Sequence, residues 1–147
     1  MLAASDAVCT ALQLTNHWQD VRRDLIERDR LYIPDDCHEV ADFEHRLRQT
    51  IEAGFAPDRE FYGDCRHVIR SLVERTWPLF ERTDDLLPRL TPELRPMIWL
   101  FSAGGSQVLH LIETINYETV LFRPRLSLFA KLCLLMKAKR ASQRPAA

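Results

Sequence analysis

Apolar residues recur at helical spacing along almost the whole of this 147-residue chain, and no window alternates apolar with polar residues over β-branched side chains. That pattern predicts an all-α fold. Only four glycines interrupt a sequence rich in Leu, Ala, Glu and Arg, which agrees with it. An apolar share of 46% against 28% charged is the balance of one soluble globular domain with a single core. The net charge of -1 supplies no global field to recruit nucleic acid, so no nucleic-acid partner is expected. Cys9, Cys37, Cys65 and Cys133 form no C-x-x-C pair, which points away from zinc and from a redox motif. The start lacks the basic and apolar regions of a signal peptide, and no stretch reaches the roughly 18 apolar residues of a membrane span. A cytoplasmic protein is expected.

The spacing predicts a first helix over about Asp6 to Arg28, then a loop around Tyr32, Pro34 and Asp35. A second helix is expected from Asp36 as N-cap, with Glu39 three residues on and Val40, Phe43, Leu47 and Ile51 on one face, to a stop at Gly54. Pro57 suits the first turn of a third helix with Phe61, Cys65, Val68, Ile69, Leu72 and Val73 as its buried stripe, and Pro78 should kink or interrupt it. After DDLLPRLTPELRP, a connection closed by Thr91 as cap and Pro92, a fourth helix runs through Ile98, Phe101, Val108, Leu111 and Ile115. Gly104 and Gly105 inside it predict close packing against a neighbour or a ligand, a local kink, or a plain break between two shorter helices. A last helix follows Pro124, and residues 141–147 read as a frayed tail.

The first helix carries the chemistry. With Asn16 at zero on a wheel of about 100 degrees per residue, Gln13, Asp20 and Asp24 fall at about 60, 40 and 80 degrees. Leu14, Trp18, Val21 and Leu25 lie on the other side, so the polar stripe faces bulk water or an internal cavity. Two acids four residues apart repel mildly, and two readings follow. In one, Arg23 and Arg28 pair with them on a solvated face. In the other, Asn16, Asp20 and Asp24 offer oxygen ligands to Mg²⁺, which usually takes one or two carboxylates together with substrate phosphates.

The string QLTNHWQDVRRDLIERDRLYIP resembles the second metal motif of the squalene/phytoene synthase family, N-x-x-x-D-x-x-x-D followed by an Arg-x-Tyr-x-Pro loop. A second block, GGSQVLHLIETINYETVLFRPRLSLFAKLCLLMK, resembles the end of the same family. The resemblance implies a prenyl-transferring synthase that joins two prenyl diphosphates head to head, or rearranges the product, inside a helical bundle. Asn16, Asp20 and Asp24 would then be Mg²⁺ ligands, with Asp20 and Asp24 the catalytic pair. Gln13, Arg30, Tyr32 and Arg123 would bind the substrate, presqualene or farnesyl diphosphate. The metal would neutralise the departing diphosphate as the carbon-oxygen bond ionises.

Three departures from the family pattern stand out. Gln19, in the form WQD, occupies a position where many members have Arg, and this form resembles the hydroxysqualene synthase branch of hopanoid synthesis; a phytoene synthase-type enzyme is the alternative. His17 replaces an apolar residue, and Asp29 stands near a usual Gly. No other D-x-x-x-D occurs in the sequence, so residues 1–140 correspond to the carboxyl-terminal half of the bundle and a missing amino-terminal half is expected to complete the site. A non-catalytic helical remnant or interaction module is a competing reading. The last helix, where Leu126, Phe129, Leu132 and Leu135 mix with Lys131, Lys137 and Lys139, fits either a packed terminal helix or peripheral contact with a membrane.

Overall fold

The computed structural model describes residues 1–53 and 58–142. Among them are six α-helices and no strand, as the periodicity predicts. They are α1 (Leu2–Gln19), α2 (Val21–Arg28), α3 (Phe43–Ala53), α4 (Arg59–Leu86), α5 (Arg95–Thr114) and α6 (Leu128–Ser142). Helix α1 lies against α4 and α5, α3 joins α2 to α4, and α6 packs on α5.

The long α4 organises the bundle. Asp58 caps its start by accepting a hydrogen bond from the Phe61 backbone N–H at 3.0 Å. Phe61, Cys65, Val68, Ile69, Leu72 and Val73 are all buried, as the spacing predicts. Each large side chain among them contributes about 1.5–3 kcal/mol by leaving water. Pro78 does not end the helix, which continues to Leu86. Pro78 and Glu74, whose carbonyl loses its donor, are both exposed, so the missing N–H costs the helix no buried hydrogen bond.

Against α4, helix α1 buries Ala4, Val8, Ala11, Thr15 and Trp18. The Trp18 indole donates to the Thr76 hydroxyl at 3.0 Å, so a polar tip in the core finds a partner on α4. Helix α5 also approaches closely. A Cβ built on Gly105 would stand 2.7 Å from both Leu12 Cδ2 and Phe80 Cζ, whereas one on Gly104 meets nothing within 4 Å. The glycine pair is therefore a packing device at one position, and α5 runs through it without a break.

Several predicted boundaries shift. The first helix starts at Leu2 and is divided at Asp20, whose φ of -107° and ψ of 15° leave the helical region. The helix expected from Asp36 starts at Phe43 instead; Asp35–Cys37 forms a single 3-10 turn, and Asp42 takes a left-handed φ of 51°. Stacking of His38 on Phe43, with ring centroids 4.0 Å apart, pins the stretch between them outside the helix. Helix α5 begins at Arg95, because Thr91 to Leu94 form a separate turn closed by Leu94 N–H to Thr91 C=O at 3.0 Å. The proposed stop at Gly54 and start at Pro57 lie outside the described residues, as does the tail beyond Ser142, while residues 141 and 142 belong to α6.

Candidate functional site

The division between α1 and α2 sets the site. At Asp20 the chain leaves helical geometry while keeping its hydrogen-bond ladder, Asp20 N–H to Asn16 C=O at 3.0 Å and Asp24 N–H to Asp20 C=O at 2.8 Å. Both carboxylates turn inward and are only 4% exposed. Gln13 and Asn16, earlier on the same stripe, remain exposed on α1. The stripe is thus split, with its amides wet and its acids covered.

Burying two ionised carboxylates side by side costs several kcal/mol unless cations compensate. Three arginines do so. Arg23 Nη2 lies 2.5 Å from Asp20 Oδ2 and 3.2 Å from Asp24 Oδ1, joining the acids. Arg28 Nη1 is 3.3 Å from Asp24 Oδ1. Arg123, more than a hundred residues away in sequence, closes a two-pronged contact on Asp20: Nε donates to Oδ1 and Nη2 to Oδ2, the latter at 3.1 Å. The hydrogen bonds to Asp20 raise the Arg123 pKa further above its already high value. The planar fork of Arg matches a carboxylate or a phosphate equally well.

Two side chains on the α1–α2 junction hold the segment that delivers Arg123. Gln19, buried, donates from Nε2 to the Pro124 carbonyl at 2.5 Å, and Arg22 Nη1 donates to the Leu121 carbonyl at 3.2 Å. Neither contact was legible in the sequence, where Gln19 registers only as a missing cation. In the structure the cation at this place comes from Arg23 and Arg123, and Gln19 braces the latter.

The loop after α2 folds back onto the same place. Asp29 adopts a left-handed φ of 53° at the end of α2, a conformation that glycine fills most easily and Asp tolerates, and is held by Arg48 at 2.6 Å. The Arg30 N–H returns to the Asp24 carbonyl at 3.0 Å. Tyr32 stacks on His17 with centroids 3.8 Å apart and planes at 21°. Arg30 is exposed; its hydrogen bond to Tyr32 raises its pKa, and the Asp24 carboxylate adds to this. Burial lowers the His17 pKa, opposed by the Asp24 and Asp20 carboxylates. The structure therefore brings Asp20, Asp24, Arg30, Tyr32 and Arg123 into one neighbourhood and adds Arg23, Arg28 and His17.

The donor chemistry suits a hard divalent cation. Mg²⁺ keeps waters and phosphate oxygens beside one or two carboxylates. Among the described residues no three His, Cys, Asp or Glu groups converge as a metal set, so Asp20 and Asp24 supply at most two carboxylates from these elements. The ion pairs of Asp24 run to Oδ1, leaving Oδ2 outside them. The guanidinium groups of Arg23, Arg28 and Arg123 stand against the two acids, so cationic and anionic groups share one small site.

Residues 1–130 match the squalene/phytoene synthase family, and the chain belongs to it. The chain is also 29% identical over 129 residues to the 15-cis-phytoene synthase of Synechococcus elongatus, an alignment covering 88% of this chain and 39% of that protein. It spans well under half the length of this curated relative. No solved structure matches. The family is one of prenyltransferase-type enzymes of isoprenoid biosynthesis. No helix among the described residues is long and apolar enough to cross a membrane.

Proposed function

We propose that this chain contributes the second acidic motif of a head-to-head prenyl synthase, where Asp20 and Asp24 hold Mg²⁺ and the surrounding arginines hold the diphosphate of presqualene or farnesyl diphosphate. The observation that carries the reading is the pair of buried carboxylates joined through Arg23 and covered by Arg123. A solvated surface stripe would leave those acids exposed and their pairs worth little.

In this reading Asn16 adds an amide oxygen to the two carboxylates, and Gln13 faces the substrate from the preceding turn. Mg²⁺ supplies Lewis-acid neutralisation of the diphosphate oxygens when bound. Arg23, Arg28 and Arg123 can exchange an acid oxygen for a phosphate oxygen without losing charge-assisted hydrogen bonds. Tyr32, stacked on His17, and Arg30 beside it close the site from the α2 side and reduce access of water. A polypeptide segment bearing the first D-x-x-x-D motif completes the cavity.

Two product classes remain in view. The WQD form of the motif supports conversion of presqualene diphosphate to hydroxysqualene or squalene. The similarity to a protein named 15-cis-phytoene synthase supports a phytoene-type product equally. A non-catalytic helical module is the alternative from a different class. Supplying an amino-terminal half with the first motif and assaying radiolabelled presqualene and farnesyl diphosphates with Mg²⁺ separates them. Turnover that disappears in Asp20→Asn and Asp24→Asn, with helix content unchanged, supports the enzyme. Turnover that survives both substitutions rules out the assigned role, and no turnover with any substrate favours the non-catalytic module.

A further inference from the structure

The turn that ends α2 is held from outside by one guanidinium on α3. At Asp29 the backbone takes a left-handed φ of 53° and ψ of 44°, which an L side chain adopts at a cost unless its surroundings hold it there. Continuation of the helix would bring the Asp29 N–H to the Leu25 carbonyl; instead the Asp29 and Arg30 N–H groups both go to the Asp24 carbonyl. The Leu25 carbonyl, on a fully buried residue, is left to another donor, and Arg48 Nη1 serves it at 3.1 Å. Nη2 of the same group donates to Asp29 Oδ1 at 2.6 Å. Glu44, one turn earlier on α3, accepts from Nε at 3.1 Å and from Nη2 at 2.6 Å, which fixes the direction of the fork. Leu47 and Ile51 beside it are buried, so the stem of Arg48 starts from a backbone that the core holds.

An exposed Arg–Asp pair on its own contributes little. This turn, however, delivers two of the candidate site residues. Arg30 and Tyr32 follow directly on Asp29, and Tyr32 lies on the His17 ring of α1 with centroids 3.8 Å apart. Asp24, whose carbonyl anchors the turn, carries one of the two buried carboxylates. A positive group at the C-terminal end of α2 also complements the helix dipole. We infer that Arg48 is a positioning residue: by holding Asp29 left-handed and serving the Leu25 carbonyl, it sets Arg30 and Tyr32 beside Asp20 and Asp24. What Arg30 and Tyr32 bind rests on the proposed function; where they stand does not.

The test reads the Tyr32–His17 stack in the intact chain by NMR of the histidine ring protons, the His17 signal being the one that His17→Phe removes. The stacked phenol shifts that signal away from its position in Tyr32→Leu. Arg48→Met should move the signal most of the way to the Tyr32→Leu position, with helix content unchanged in circular dichroism. Arg48→Lys, which keeps the charge but cannot reach the three oxygens as a fork, should move it part of the way. Adding Asp29→Gly to Arg48→Met should bring it back in large part, because glycine takes a φ of 53° without a clasp. A residue that served stability alone would show no such rescue. Mg²⁺-dependent binding of inorganic diphosphate should weaken about tenfold in Arg48→Met, as it does when an outer partner of a metal site is lost, and recover with Asp29→Gly. A His17 signal that keeps its native position in Arg48→Met overturns the inference. So does a displaced signal that Asp29→Gly fails to restore, or diphosphate affinity that is unchanged where the signal has moved. A native chain that binds no diphosphate counts against the proposed function alone, since the ring measurement involves no ligand.

Discussion

Gln19 is the residue through which the two ends of the chain are fastened at the site. Its amide meets the Pro124 carbonyl in a buried position, next to the Arg123 that reaches Asp20. Gln19→Leu keeps the volume but removes the donor, leaving a buried carbonyl without its partner. The expected loss is about 1–3 kcal/mol in urea unfolding, with Gln19→Glu at least as damaging because it adds a third acid. No change in stability would mean that Arg22 and the Arg123–Asp20 pair suffice to hold the 121–124 segment. The polar stripe itself was readable, since spacing on a regular helix depends only on sequence. What spacing could not convey is that the helix is interrupted at Asp20, so that the acids turn inward while Gln13 and Asn16 stay exposed. Nor could it choose among arginines: Arg23 and Arg28 are local, whereas Arg123 comes from a distant segment placed by tertiary folding.

Among the helices, α4 was legible because a long stripe of apolar residues at i, i+3 and i+4 has no competing reading. The helix starts were less so. Asp36 with Glu39, and Thr91 with Pro92, look like caps in sequence, yet the backbone there is occupied by local turns and by the His38–Phe43 stack. The adjacent glycines of α5 illustrate the same limit, because only the neighbouring helices decide which one matters. Gly104→Ala should raise stability by about 0.5–1 kcal/mol, since its Cβ meets open space and helix propensity improves. Gly105→Ala should fall about 1–3 kcal/mol below the Gly104 variant as Leu12 and Phe80 are displaced. Thermal melts of the two single variants decide this, and equal midpoints would show that Phe80 yields freely.

At the scale of the whole molecule, the core can be read through its thiols. Burial pushes the Cys65 thiol up to about 12 from an ordinary 9.0, whereas Cys9 is exposed. The folded protein therefore holds the Cys65 proton more tightly than the unfolded chain. The associated stability is present in full below about pH 9 and is lost as pH rises towards about 12. Denaturant unfolding at rising pH should show this loss in the native protein and less of it in Cys65→Val. A thiol reagent should label Cys9 at once and Cys65 only as the bundle opens. The proposed function requires Asp20 and Asp24 to hold a cation that acts with a diphosphate. Calorimetric titration of inorganic diphosphate into the intact chain, with and without Mg²⁺, tests this most directly. Binding that requires Mg²⁺ and is lost in the double variant Asp20→Asn/Asp24→Asn, with helix content retained, is the predicted result. Equal Mg²⁺-dependent binding by the double variant and the native chain would contradict it.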